Sequence, residues 1–153
     1  MDPANPPSRG LAVARQFAMI TYRSAKGYQS KFGREKDSTG AWQAKKYLEY
    51  QGIKFLDRFD AVTYVKLTEQ LDTHVVGRGR GGVPTALDGI KTPVLVMGID
   101  SDILYPLYEQ EELAALIPGS HFAVINSSDG HDGFLLEQDQ VAQNIAGFLN
   151  KTT

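Results

Sequence analysis

The stretch TPVLVMGIDSDILYPLYEQEELAALIPGSHFAVINSSDGHDG, residues 92–133, decides the fold. Its first eight residues form a near-continuous apolar run, which is typical of a strand buried on both faces of a parallel sheet. LYEQEELAALI then has the pattern of an amphipathic helix that ends at Pro118-Gly119, and HFAVI (121–125) predicts a second buried strand. A helix at the end of the chain completes a βαβα unit. The residues expected to face inward on that helix are Val141, Ile145, Phe148 and Leu149.

Composition limits the class of protein. The chain has 153 residues, of which 42% are hydrophobic and 22% charged, and its formal net charge is −2. This balance is typical of one globular domain or a piece of one, and it does not indicate nucleic-acid binding. The absence of cysteine excludes disulfides and a cysteine nucleophile, and it favours a cytoplasmic location. No apolar run approaches the roughly 20 residues of a membrane span, and residues 1–10 lack a signal-peptide pattern, so we expect no membrane partner.

The first half of the chain carries helical patterns only. A helix is expected from Ser8, with Leu11, Ala14, Ala18 and Tyr22 along one face. SAKGYQSKFGREKDSTG (24–40) has three glycines and alternating charge, which predicts a loop. Two further helices are predicted, from AWQAKKYLEYQGIKFLDRF and from DAVTYVKLTEQLD, although VTYV within the second is β-prone. Because a parallel sheet covered on both faces needs more than two strands, the whole pattern indicates part of a larger α/β domain.

GRGRGG (77–82) matches the dinucleotide-binding pattern G-x-G-x-x-G, and Asp100 and Asp102 follow at about the distance of its acidic ribose ligand. That fingerprint has to follow a buried strand and open a long helix. Here the polar LDTHVV precedes it and the short VPTALDGI follows, so we interpret it as a flexible basic linker and expect no bound cofactor. The sequence also lacks metal-ligand spacing such as H-E-x-x-H, so no metal site is expected.

Two loops that follow the predicted strands carry groups for acid–base chemistry. DSDILYP (100–106) contains Asp102, and NSSDGHDG (126–133) contains His131. In a parallel α/β sheet, functional residues lie just beyond the carboxyl ends of the strands. Taken singly, Asp102 is more simply explained as a turn or capping residue, and His131 as an exposed turn residue. Their joint arrangement favours catalysis, because Asp then His completes the order Ser…Asp…His of α/β-hydrolases.

Four motifs together resemble one family. They are GLAVARQFAMITYRS (10–24), DTHVVGRGRGG (72–82), SDILYP (101–106) and GHDGFLLE (130–137). In this order they closely resemble the homoserine O-acetyltransferase family, α/β-hydrolase-fold acyltransferases of methionine biosynthesis, over nearly the whole chain. The resemblance implies the C-terminal part of an α/β-hydrolase fold, an α/β βαβα unit preceded by a helical lid. Residues 1–82 are then the lid subdomain with its basic linker, and residues 83–153 belong to the core.

The resemblance also implies roles for individual residues. Asp102 is the triad acid, His131 is the triad base, and Asp132 holds the amino group of the substrate. Arg15 and Tyr22 face the substrate carboxylate. They are seven residues apart, hence two turns along one helix face, and a guanidinium and a phenol can both bond to a carboxylate. The expected substrates are L-homoserine and acetyl-CoA, the latter as acyl donor and not as a bound cofactor.

The nucleophile is the main departure from the family pattern. The family serine lies in a G-x-S-x-G-type elbow before the lid, and the 153 residues contain no such pentapeptide. The oxyanion-hole loop and the first strands are missing as well. We therefore expect a C-terminal portion of an enzyme that is inactive on its own.

Other functions stay open at this point. The lid helices of the family pair two subunits, which predicts a homodimer and leaves open a non-catalytic dimerisation or binding module. Relatives with the same fold act on serine or deacetylcephalosporin C, use succinyl-CoA, or hydrolyse esters. The residues that select the donor lie mostly near the absent nucleophile, so the sequence does not distinguish these activities.

Overall fold

The computed structural model describes residues 7–152. The absence of a signal peptide was predicted from residues 1–10, and residues 1–6 of that stretch lie outside the described residues. In chain order the elements are α1 (Ser8–Thr21), α2 (Ala25–Phe32), α3 (Gln43–Phe55), α4 (Ala61–Thr73), α5 (Val83–Asp88), β1 (Leu95–Ile99), α6 (Leu107–Leu116), β2 (His121–Ile125), a single 3-10 turn (Gly130–Asp132), α7 (Gly133–Leu136) and α8 (Gln138–Thr152). They form two compact units. Of the described residues, the first contains 7–21 together with Tyr28–His74, and the second contains Tyr22–Gly27 together with 75–152. Within residues 7–152, no helix is long and apolar enough to cross a membrane.

Helices α1, α3 and α4 of the first unit confirm the helices expected there. Helix α1 lies so close to α3 that a Cβ built on Gly52 would be 2.6 Å from the carbonyl oxygen of Ala12. Helix α4 is capped by Asp60, whose carboxylate accepts a hydrogen bond of 2.9 Å from the Thr63 amide. This cap supports a helix where the β-prone VTYV left the sequence ambiguous.

Helix α2 corrects the prediction of a loop over residues 24–40. The charges and glycines of this segment favour a loop. It also contains two aromatic residues four positions apart, Tyr28 and Phe32, which share one helix face. Their rings lie 5.6 Å apart, and Phe32, which is buried, lies 5.0 Å from the ring of Tyr47. The hydroxyl of Tyr28 donates to the carbonyl of Met19. These contacts within the first unit stabilise a helix that its local sequence only weakly favours.

The second unit contains the βαβα arrangement that the sequence predicts. Strands β1 and β2 pair in parallel, in a register that runs from Leu95 opposite His121 to Ile99 opposite Ile125. Helix α6 packs directly against β1 at Gly98, where an added Cβ would lie 2.6 Å from Leu107 Cδ1. Ile125 is 1% exposed and is the most deeply buried side chain among the described residues.

Strand β2 and helix α8 are less buried than predicted. Only Ile125 is buried in β2, whereas Phe122 and Val124 are exposed. On α8, Val141 and Phe148 are partly covered, but Ile145 and Leu149, both expected to face inward, are exposed. The reason is that burial needs neighbours on both faces of a sheet, and the described residues supply a sheet of only two strands.

The GRGRGG segment lies between two helices. Helix α4 precedes it, and α5, which follows, has only six residues. A dinucleotide fingerprint requires a strand before the loop and a long helix after it. Here a helix stands in place of the strand, and the helix that follows is short. The loop closes on itself, since the amides of Arg80 and Gly82 both bond to the carbonyl of Gly77.

Candidate functional site

The loops that follow β1 and β2 meet at the carboxyl end of the sheet. Because Ile99 and Ile125 are the last paired residues, the aspartate loop (100–106) and the histidine loop (126–133) begin side by side. Nδ1 of His131 lies 2.8 Å from Oδ2 of Asp102. The structure thus brings together the aspartate and the histidine that the sequence predicts to lie in neighbouring loops.

The Asp102 carboxylate is held in one orientation by its own loop. Its Oδ1 accepts hydrogen bonds from the amides of Leu104 at 2.8 Å and Tyr105 at 3.0 Å, and its side chain is 4% exposed. Because a carboxylate only accepts hydrogen bonds, Nδ1 of His131 carries the proton, and in the neutral imidazole Nε2 then presents a lone pair. An imidazole oriented in this way can take a proton from a hydroxyl as a general base.

Aromatic rings surround the imidazole of His131. The ring centroids of Tyr105 and Phe134 both lie 5.3 Å from it, and that of Tyr22 lies 5.8 Å away. A pocket of about 290 Å³ opens beside the imidazole, which remains 26% exposed. The rings restrict rotation of the imidazole and leave one part of it accessible to a reacting group.

Ser101 links the two loops, a role that sequence reasoning missed. Its hydroxyl donates to the carbonyl of Ser127 at 2.6 Å and accepts from the amide of Gly130 at 2.9 Å. Beside it, Oδ1 of Asp100 accepts from the Ser127 amide at 3.0 Å. The two residues before Asp102 therefore fix the backbone that carries His131, and the only signal in the sequence was their position next to that aspartate.

The segment Tyr22–Gly27 packs on the other side of the histidine loop. The amide of Asp132 donates to the carbonyl of Tyr22 at 3.0 Å, and the hydroxyl of Ser24 bonds to the carbonyl of Ser128. Gly130 has φ +69°, and a Cβ on it would lie 2.6 Å from the Ser24 amide nitrogen. The loop therefore requires glycine at this position both for its backbone conformation and for its close approach to Ser24.

Arg15 and Tyr22 are placed differently from the expectation that they share one helix face. Helix α1 ends at Thr21, so Tyr22 lies in the following turn and belongs to the second unit. Arg15 belongs to the first unit, where its guanidinium lies 4.9 Å from the ring centroid of Phe55. Tyr22 therefore lies one residue beyond the end of the helix, and a role in binding the substrate carboxylate stays a prediction for both residues.

The remaining polar groups at the site serve the loop backbone or one another. The hydroxyl of Ser127 accepts from the amide of Asp129 at 3.2 Å, and Oδ2 of Asp132 lies 3.2 Å from Nε of Arg23. The full sequence contains no G-x-S-x-G pentapeptide. Over residues 7–152, no cluster of three or more His, Asp or Glu side chains is arranged to hold a metal ion.

Comparison with known proteins identifies relatives of this chain, although no family model matches it. A homoserine O-acetyltransferase of Chlorobaculum parvum is 48% identical over 147 residues, which are 96% of this chain and 41% of that protein. A crystal structure of homoserine O-acetyltransferase from Staphylococcus aureus aligns with a TM-score of 0.74 at 35% identity, over 94% of this chain and 42% of that one. The chain belongs to the homoserine O-acetyltransferase family. The resemblance inferred from the four motifs is thereby confirmed.

The fold class is confirmed by the same comparisons. An α/β-hydrolase enzyme from a Medee basin deep-sea metagenome library has a TM-score of 0.62 at 24% identity, over 93% of this chain and 46% of that one. The βαβα unit of this chain is thus part of an α/β-hydrolase fold. The chain spans about 41% of the length of the curated Chlorobaculum relative.

Proposed function

We propose that the chain is the C-terminal portion of a homoserine O-acetyltransferase, which transfers the acetyl group of acetyl-CoA to the hydroxyl of L-homoserine in cytoplasmic methionine biosynthesis. The contact of 2.8 Å between His131 Nδ1 and Asp102 Oδ2 carries the proposal, because it orients the imidazole as the base of an acyl-transfer triad. Family membership supports the reaction class. In this proposal the serine nucleophile belongs to a part of the enzyme outside the 153 residues. The chain alone therefore does not catalyse acetyl transfer.

The proposed reaction proceeds through an acyl-enzyme. Nε2 of His131 takes the proton of the serine hydroxyl as its oxygen attacks the thioester carbonyl of acetyl-CoA, and the imidazolium returns that proton to the departing CoA thiolate. Nε2 then takes the proton of the homoserine hydroxyl, whose oxygen attacks the acetyl-serine. When the tetrahedral intermediate collapses, O-acetylhomoserine leaves and the serine recovers its proton. Asp102 stays ionised throughout and stabilises the imidazolium.

The charged ends of homoserine are assigned to three residues in this proposal. Asp132 follows His131 directly, and its side chain is 19% exposed, which suits a carboxylate that binds an ammonium group. Arg15 and Tyr22 are assigned to the substrate carboxylate on the family resemblance. The proposed division of the chain into a lid with linker, residues 1–82, and a core part, residues 83–153, rests on the same resemblance.

A chimeric enzyme tests the proposal. The segment of the Chlorobaculum parvum relative that matches these 147 residues is replaced by this chain, and acetyl transfer from acetyl-CoA to L-homoserine is assayed. We expect turnover in the chimera, its loss in His131→Gln, and no change in His74→Gln, since His74 is exposed and lies outside the second unit. The 153-residue chain is expected to show no turnover. A soluble, folded chimera whose activity survives His131→Gln would overturn the proposal.

The same assay discriminates among the open activities. The chimera is offered L-serine, deacetylcephalosporin C or water as acceptor, and succinyl-CoA as donor, and kcat/KM is compared with that for homoserine and acetyl-CoA. We expect homoserine to be preferred, because the relatives that match this chain at 48% and 35% identity are homoserine O-acetyltransferases. A higher kcat/KM for another acceptor would replace homoserine in the proposal and leave the roles of Asp102 and His131 unchanged.

We propose that the partner is a second copy of the chain, and that the two copies form a homodimer through the lid helices. Apolar side chains on the described lid helices support it, since Phe17 on α1 is 71% exposed and Ile53 on α3 is 66% exposed. Sedimentation velocity of the purified chain should therefore give a dimer, and Phe17→Asp should shift it to monomer. Calorimetric titration with homoserine separates this function from the alternative, because a dimer that binds no homoserine would favour a non-catalytic assembly module.

A further inference from the structure

Arg23 contacts both acidic residues that flank the Gly130-His131 pair. Its Nη1 donates to Oδ1 of Asp129 at 2.6 Å, and its Nε lies 3.2 Å from Oδ2 of Asp132. The Arg23 side chain is only 10% exposed. A cation this well covered is stable only where anions compensate it, so the ion pairs hold the guanidinium and the two acidic side chains together.

The backbone around Arg23 strengthens this attachment. The carbonyl of Tyr22, immediately before it, accepts from the amide of Asp132, and a Cβ on Gly130 would lie 3.0 Å from Arg23 Cα. The histidine loop therefore contacts this segment at positions 129, 130 and 132. His131 lies between these attachment points, so its Cα has little freedom to move.

The two ion pairs differ in kind. The contact with Asp129 is a short charge-assisted hydrogen bond, whereas Nε of Arg23 makes no hydrogen bond with any group among residues 7–152. The interaction of Nε with Asp132 is thus an ion pair without hydrogen-bond geometry. We expect Asp129 to carry most of the positioning effect, which leaves Asp132 more able to bind a second cation.

We propose that Arg23 is a positioning residue for the base His131. It fixes the turn from Asp129 to Asp132 so that Nδ1 remains on Asp102 and Nε2 points to the nucleophile. The proposal rests on the proposed function, because the base that Arg23 positions is the base of that reaction. Removal of the guanidinium is expected to loosen the His131–Asp102 hydrogen bond while the strands of the second unit stay folded.

The test uses the His131 Nδ1 proton in NMR spectra of the 153-residue chain. A proton held between an imidazole and a carboxylate resonates far downfield, and its exchange rate with water reports how often the hydrogen bond opens. We expect Arg23→Met to raise this exchange rate at least tenfold. Arg23→Lys, which keeps the charge but not the planar fork, should fall between it and the parent. The matched control Arg80→Met removes an exposed arginine of the same unit and should leave the rate unchanged.

Folding is checked on the sheet amides of the same spectra, and a second variant covers the case in which Arg23→Met does not fold. Asp129→Asn keeps the size of the side chain and removes its charge, and it should raise the exchange rate at least threefold. Asp132→Asn should raise it less. A folded Arg23→Met or Asp129→Asn variant with the exchange rate of the parent overturns the proposal.

The outcome is separable from that of the proposed function, because the spectra are recorded without acetyl-CoA or homoserine. If the chimera fails to transfer acetyl groups while the Nδ1 proton still depends on Arg23, then the proposed function fails and the positioning role stands. In an active chimera, Arg23→Met should lower kcat with little change in the KM for homoserine, whereas Asp132→Asn should mainly raise that KM. An Arg23→Met effect confined to KM would contradict a positioning role.

Discussion

Replacing Gly130 with alanine probes the contact between the histidine loop and the segment Tyr22–Gly27. Gly130 has φ +69°, and its added Cβ would meet the Ser24 amide nitrogen at 2.6 Å. Gly119 offers a matched control, because its φ is +70° and an added Cβ would have no atom within 4 Å. The two substitutions share the same backbone strain and differ in the space available to the new methyl group.

The magnitudes follow from these two terms. A left-handed backbone costs alanine roughly 1–2 kcal/mol, and the reduced freedom of the unfolded chain offsets about 0.4–1 kcal/mol of that. Gly119→Ala should therefore lower the free energy of unfolding by about 1 kcal/mol. At Gly130 the overpacked contact adds about 1–3 kcal/mol, because the atom that would have to move belongs to the backbone. Gly130→Ala should thus cost roughly 2–4 kcal/mol in total.

Amide hydrogen exchange measures the effect where it arises. The Asp132 amide bonds to the carbonyl of Tyr22 at 3.0 Å, and the Asp100 amide bonds to that of Ile125 at 3.1 Å. The first reports opening of the histidine loop and the second reports opening of the sheet. The difference of about 1–3 kcal/mol between the variants corresponds to about 5-fold to 150-fold faster exchange at Asp132 in Gly130→Ala than in Gly119→Ala.

Equal exchange at Asp132 in the two variants would refute the reasoning. It would mean that the close approach of Gly130 to Ser24 adds nothing beyond the backbone strain that both glycines relieve. The argument that the segment Tyr22–Gly27 supports the histidine loop would then lose its steric component.

Three further predictions concern catalysis, helix packing and charge. In the chimera, Asp102→Asn should lower kcat by roughly 10⁴-fold, because an amide permits the wrong imidazole tautomer; steady-state kinetics measures it. Gly52→Ala should destabilise the first unit by about 1–3 kcal/mol through its contact with α1, whereas Gly147→Ala in α8, where an added Cβ has no atom within 4 Å, should stabilise by about 0.5–1 kcal/mol; urea unfolding gives both. The hydrogen bond with Lys46 is the largest of the contacts that lower the pKa of Asp37 below 3.8, so Lys46→Met should raise that pKa in an NMR titration.

Each of these predictions has an outcome that contradicts it. A loss of less than tenfold in Asp102→Asn, with Asp88→Asn as the exposed control, would remove Asp102 from the mechanism. Stabilisation by Gly52→Ala would show that α1 and α3 separate at little cost. For Asp37 the sign is fixed: a lowered pKa stabilises the folded state above 3.8, and this contribution disappears as the pH falls through the folded-state pKa. A Lys46→Met variant in which the Asp37 pKa stays low would assign the shift to Thr39 instead.

The contact between Asp102 and His131 was predictable because its geometry follows from strand topology. Two buried apolar runs predict parallel strands, and parallel strands end at one edge of the sheet. The loops that follow them, which carry Asp102 and His131, must therefore lie close together. The exposure of Ile145 and Leu149 was not predictable in the same way. Hydrophobicity indicates which side chains gain from burial, but neighbouring elements decide whether burial occurs.

The supporting contacts were missed for a different physical reason. Arg23 reaches Asp129 across 106 residues of sequence, and no periodic pattern relates the two positions. Ser101 acts through its hydroxyl on backbone groups of another loop, which any small polar residue with the right orientation could do. Helix α2 was hidden because its stability comes from Tyr28 and Phe32 packing on the first unit and not from its own propensity.

The separation of 106 residues between Arg23 and Asp129 has a consequence for the order of folding. Asp102 and His131 are only 29 residues apart and can meet as soon as the second strand pairs with the first. The ion pair of Arg23 closes a much longer loop of chain, so its formation costs more entropy and adds a contact of high sequence separation. On the ribosome, Arg23 emerges long before its partners exist. We therefore expect the acid–base pair to assemble first and to become immobile only in a later, slower step.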